Sequence, residues 1–183
     1  MNLDLDEQLA LCSAHRKSRE KIRDFVLKRP EIFPALLTMA FDVNYKYHFK
    51  ACWIIEFVAD AQLEWLQNHL DFYCNGLPYL KDESGIRPIA KVAMILVNAH
   101  FRKKTENIIL SESQLEKLAE VCFDWLISNT KVASKAYAIR TLYVLGKKYD
   151  WIYPELKIIL QKDYQNHSAA YKAVAREILK KIN

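Results

Sequence analysis

Lys50-Ala-Cys-Trp-Ile-Ile-Glu-Phe57 sets the pattern of this chain, because its scheme returns three times. Lys91-Val-Ala-Met-Ile-Leu-Val-Asn98, Lys135-Ala-Tyr-Ala-Ile-Arg-Thr-Leu142 and Lys172-Ala-Val-Ala-Arg-Glu-Ile-Leu179 each place apolar residues at helical spacing after a lysine. The four lysines are 41, 44 and 37 residues apart. Another apolar, helically spaced segment precedes each stretch, so the repeating unit is a pair of helices. No pair can bury its apolar stripe alone, and stacking the pairs makes one continuous core.

Over the whole chain the spacing predicts pairs at 31–41 with 45–59, 61–74 with 85–101, 112–128 with 131–146, and 153–163 with 168–182. The breaks fall at Asp42-Val-Asn44, at Asn75-Gly76 with Pro78, at Ser128-Asn-Thr130 and at Asn166-His-Ser168, all turn-forming residues. A loop is predicted from Lys103 to Ile109, and Gly146 is a candidate helix terminator. Upstream, Asp4 with Glu7 has capping-box spacing ahead of the face formed by Leu5, Leu9 and Cys12. Ser18 is a candidate cap for a second helix carrying Ile22, Phe25 and Val26, which Pro30 ends. The expected organisation is a single all-α domain over 1–183: an α-α superhelix of about four helix pairs over 30–183, with capping helices over 1–29.

Composition agrees. Of 183 residues, 51% are apolar and 27% charged, so a packed core is affordable and disorder is excluded. Three glycines are too few for the many tight turns of a β-sandwich or for Gly-rich phosphate loops. No segment reaches the ~20 apolar residues of a membrane span. The acidic start, Met-Asn-Leu-Asp-Leu-Asp-Glu7, is unlike a secretory leader. Cys12, Cys52, Cys74 and Cys122 are dispersed and read as reduced, buried thiols, so a cytoplasmic location is expected.

The period and pattern over residues 30–182 resemble the HEAT/armadillo-like superfamily, whose units run ~40–47 residues. The resemblance implies a helical solenoid, with an Asp-to-Arg/Lys ladder joining successive units.

Basic residues recur at fixed places in the second helices. Lys46 with Lys50, Arg87 with Lys91, and Lys131 with Lys135 are i,i+4 pairs in expected first turns; Lys172 with Arg176 follows one turn later. A cation there opposes the helix dipole by a few tenths of a kcal/mol, which calls for a nearby anion. The ladder would supply it from Asp42, Asp82 or Asp163. The alternative is a surface that binds phosphate or an acidic peptide, with Tyr45 and Tyr47 beside the first pair. The stretch from His15 to Arg29 adds seven Lys or Arg against Glu20 and Asp24, with no aromatic platform between Ala14 and Asp24. Glu56 and Asp60 read as a solvent-facing strip. Trp53, Trp65, Trp125 and Trp151 read as packing residues.

The expected function is therefore a non-enzymatic interaction module with a protein partner. Nucleic acid is the alternative, since HEAT-like DNA alkylation-repair proteins use such a stack with a basic inner face and an aromatic-flanked catalytic Asp. Asp124-Trp125 and Asp150-Trp151 have that composition but fall on or before first helices. Asp150-Trp-Ile-Tyr-Pro-Glu-Leu156 and Ser168-Ala-Ala-Tyr-Lys-Ala173 are similar to stretches of small proteins labelled adenylosuccinate lyase. The Gly-rich signature loop of that lyase superfamily is not in this sequence. No metal is expected, because the five histidines lack ligand spacing. No cofactor or catalytic residue is expected either, since no nucleophile elbow or nucleotide loop is present.

Overall fold

Ten α-helices and four 3-10 segments, with no strand, form the secondary structure of the described residues, 3–102 and 108–182, of the computed structural model. They are α1 (Leu3–Leu11), α2 (Arg16–Leu27), α3 (Phe33–Phe41), α4 (His48–Ala61), α5 (Leu70–Gly76), α6 (Glu83–Arg102), α7 (Glu112–Ile127), α8 (Val132–Leu145), α9 (Ile152–Asp163) and α10 (Ala169–Ile182). The anticipated loop from Lys103 lies outside the described residues as far as 107.

The second helices form one row. Helix α2 packs on α4, α4 on α6, α6 on α8 and α8 on α10. Against it, α3 packs on α4, α7 on α8, and α9 on α8 and α10, while α5 touches α3 and α7. The core runs between the rows from Leu5 and Val26 through Leu36, Ile54, Leu96 and Leu118 to Leu142, Leu160 and Ile178. This is an α-α solenoid in which each pair buries its apolar stripe against its neighbours.

Local chemistry explains several boundaries. Ser111 caps α7 in a capping box: its Oγ accepts from Gln114 N–H at 3.3 Å, and Gln114 Oε1 accepts from Ser111 N–H at 3.0 Å. Pro88 lies inside α6 and has no N–H for the carbonyl of Ser84, four residues back. The indole Nε1–H of Trp53 takes that carbonyl instead, at 2.9 Å, and so pins α4 to α6. Gly146 ends α8 in ordinary right-handed backbone; glycine is needed there because a Cβ would overlap the Tyr153 ring.

Other expectations change. Helix α1 already begins at Leu3, so Asp4 sits within its first turn, and its carboxylate faces Arg29 at 3.8 Å. Helix α2 starts two residues before Ser18, whose Oγ accepts from Ser13 N–H at 2.9 Å and ties the connection between α1 and α2. The predicted helix 61–74 is a 3-10 segment, Leu63–His69, followed by α5. Trp125 is buried, but Trp151 is half-exposed and stacks on Phe123 across the first-helix row at 5.6 Å. All four cysteines are free and buried; burial pushes the thiols of Cys74 and Cys122 up to about 12.

Candidate interaction surface

The recurring cations occupy four separate environments. At the first, Lys46 precedes α4 and is not in its first turn. Its ammonium and that of Lys50 lie over the Tyr47 ring at 5.0 and 4.6 Å, and Lys50 Nζ donates to the Ala10 carbonyl in the last turn of α1 at 2.9 Å. Tyr45 donates from its hydroxyl to Asp6 Oδ1 at 2.6 Å, so this group joins α1 to the start of α4.

At the second, Lys91 reaches Asp60 at 2.6 Å and Glu56 at 3.1 Å, with Arg87 3.5 Å from Glu56. Burial pulls Lys91 down, but Asp60 and Glu56 outweigh it and hold the pKa above the ordinary lysine value. Glu56 and Asp60 are therefore no solvent strip: Glu56 is buried and ties α4 to α6. The anions of this tie come from the neighbouring second helix. Asp42 instead accepts from Asn44 N–H in its own turn.

At the third, Lys135 is 4% exposed, and its Nζ donates to the Leu126 carbonyl at 2.5 Å. Together with Thr130, which donates to the Trp125 carbonyl at 2.6 Å, it satisfies the open end of α7. Burial lowers the Lys135 pKa even though Asp163 and Glu83 oppose the shift. Its repeat mate Lys131 is exposed at the N-cap of α8. Glu83 caps that helix from α6, accepting from Lys131 N–H and Ser134 Oγ, both at 3.0 Å. At the fourth, Arg176 donates to the Tyr164 hydroxyl at 2.9 Å, and Lys172 lies 5.8 Å from that ring's centre.

Two open clefts lie on the second-helix row. One, of about 260 Å³, is bordered by Arg19, Trp53, Glu83, Arg87 and Lys131, near the N-terminal ends of α6 and α8. The other, of about 310 Å³, is bordered by Arg102, Arg140, Tyr143, Lys147, Glu177 and Lys181, near the C-terminal ends of α6, α8 and α10. The three helices therefore run in the same direction. Lys147 and Lys181 lie over one ring, Tyr143, at 5.4 and 5.5 Å.

Arg19, Arg102, Arg140, Lys147 and Lys181 were not among the repeated pairs. The signal for α8 is the stripe Arg140, Tyr143, Lys147 at helical spacing; Arg19 belongs to the basic stretch from His15 to Arg29, in which nothing distinguishes it from its neighbours. The aromatic faces absent between Ala14 and Asp24 come from α4: Arg19 lies over Trp53 at 5.7 Å and Phe57 at 5.1 Å.

A family model for the HEAT repeat domain matches residues 5–182. The chain belongs to the HEAT repeat family. No curated protein and no solved structure matches it. In this HEAT repeat domain the ties between second helices are carried by Glu56 and Asp60 with Arg87 and Lys91, by Glu83 with the N-terminus of α8, and by Arg140 with Glu177 at 3.6 Å. Asp124 and Asp150 lie on α7 and in the turn before α9, in the first-helix row and its connection. Among the described residues, no group of His, Cys, Asp and Glu is arranged to hold a metal ion, and no helix is long and apolar enough to cross a membrane.

The last tie has a pH signature. Lys181, followed by Arg140, holds the Glu177 carboxyl below its ordinary value of 4.5. A depressed carboxylate stabilises the fold above the unfolded-state value, and the contribution disappears as pH falls through the folded value. Amide exchange in α10, corrected for intrinsic rate, is expected to accelerate below about pH 4.5 relative to the rest of the row. Glu177→Gln should flatten that response; an unchanged profile would mean that α10 draws no stability from the Glu177 carboxylate and its partners Lys181 and Arg140.

Proposed function

We propose that this HEAT repeat domain is a non-enzymatic module that binds an acidic segment of a protein partner along its second-helix row. The observation that carries this reading is the charge of the two clefts: seven Arg and Lys side chains border them, against two carboxylates, Glu83 and Glu177. Both carboxylates are already engaged, Glu83 with α8 and Glu177 with Arg140 and Lys181. The cations therefore exceed what the fold neutralises.

A protein partner is favoured over nucleic acid by what lies between the clefts. Lys91 sits one turn beyond Arg87 and one turn before Ile95 on α6, and its partner Asp60 has a side chain 46% exposed. A continuous phosphate backbone crossing the row would meet that carboxylate, whereas a peptide can present acids at two separated points. The four free, buried cysteines support a cytoplasmic setting.

Fluorescence anisotropy with labelled polyglutamate, duplex DNA and single-stranded RNA across a salt series tests the proposal. Polyglutamate is expected to bind, and Lys147→Glu, an exposed substitution, should weaken it about tenfold or more, because like charges at an interface cost several kcal/mol. Tighter binding of either nucleic acid at equal salt, with a steep salt slope, would overturn the protein-partner reading. No binding of any of the three at low salt would overturn the row as an anion-binding surface.

A further inference from the structure

The clefts differ electrostatically. At the C-terminal cleft, Arg102, Lys147 and Lys181 stand in or just beyond the last turns of α6, α8 and α10, where cations complement the negative helix ends without a ligand. At the other cleft the same logic runs in reverse. Lys131 stands at the N-cap of α8, and Arg19, the fourth residue of α2, joins it; Arg87 is the fifth residue of α6, so it lies beyond the first turn expected for it but opens on the same cleft as the start of that helix. Three cations and the N-termini of α6 and α8 therefore share one small space with a single carboxylate, Glu83, which caps α8.

The fold leaves them incompletely matched. Arg19 is held by ring faces, and its Nε is buried without a hydrogen-bond partner. Arg87 has only the long contact to Glu56, with a side chain 37% exposed. The Lys131 ammonium has no carboxylate within ion-pair distance among the described residues, and both oxygens of Glu83 are committed to α8. One wall is fixed, because the Trp53 indole is anchored to the carbonyl that Pro88 leaves free. At about 260 Å³ the space exceeds the roughly 30 Å³ share of one water several-fold.

We propose that this cleft is a seat for a single phosphate-type oxyanion carried on the protein partner, gripped by Arg19, Arg87 and Lys131 against the Trp53 wall. This rests on the reading of the row as a surface for an acidic protein. It adds a specific anchor: guanidinium groups favour phosphate oxygens by geometry as well as charge. The exposed Asp60 beyond Arg87 again favours one phosphate over a chain of them.

Amide and indole NMR of the full chain tests it, first with inorganic phosphate, then with a phosphoserine peptide, its serine counterpart and a 5′-phosphorylated oligonucleotide. Phosphate is expected to shift the Trp53 indole signal and the amides of Ser84 and Lys131 saturably, leaving the Tyr143 region unmoved. The phosphoserine peptide should bind about tenfold or more tightly than the serine peptide, and Arg87→Gln or the exposed Lys131→Gln should remove most of that margin. Unperturbed spectra of the free variants establish that they fold. Equal affinity for the two peptides, or phosphate shifts spread evenly over the row, would overturn the seat even if polyglutamate still binds and the broader reading stands. Tighter binding of the oligonucleotide than of the phosphopeptide would overturn its assignment to a protein partner.

Discussion

Lys135→Glu is expected to lower stability by about 3–5 kcal/mol, the range for stranding a charge in a buried site. The native ammonium is tolerated because it meets the Leu126 carbonyl and lies in the field of Asp163 and Glu83. A carboxylate at that position keeps the burial and reverses every interaction: it would face a carbonyl oxygen and two acids. Lys135→Met is the control. It keeps the stem, removes the charge and leaves one carbonyl at the end of α7 without a donor, so its cost should be only about 1–3 kcal/mol. Urea midpoints at neutral pH decide the matter. If glutamate costs no more than methionine, the buried ammonium is not the strut between α7 and α8.

The second large effect concerns the tie between α4 and α6. Lys91→Met is expected to cost about 3 kcal/mol, because it leaves Glu56, with a side chain only 8% exposed, facing Arg87 at 3.5 Å as its single counter-charge. Asp60 loses the same partner but stays in water, so its share is small. Removing the stranded acid should reverse the loss: the double variant Lys91→Met with Glu56→Leu is expected to be more stable than Lys91→Met alone. Additive destabilisation in this double-mutant cycle would mean that the pair is not energetically coupled.

These two lysines show how far the sequence could be read. Both were marked by the same period, and both do hold the stack together, yet by different means. Lys135 caps a carbonyl within its own pair, and Lys91 bridges two carboxylates on the preceding second helix. Spacing along one chain gives the face on which a side chain lies. It does not give the atom that arrives from the next helix. Glu56 and Asp60 illustrate the point, since an i,i+4 carboxylate pair is commonly a wet strip, and here the packing of α6 on α4 covers Glu56. The basic stretch of α2 is another case, because the rings beneath Arg19 are 34 and 38 residues away in sequence.

Legible along the chain are the all-helical repeat, most of the breaks, and all of the paired helices but the one drawn at 61–74, whose first half is a 3-10 segment. Apolar periodicity and turn residues are local properties that act within a few residues. Which cations are consumed as struts, and which remain open on the second-helix row, depends instead on how the helices pack. Whether a charge is matched depends on distances between helices, and those are set when the apolar stripes stack, with Trp53 clasping the carbonyl that Pro88 leaves open.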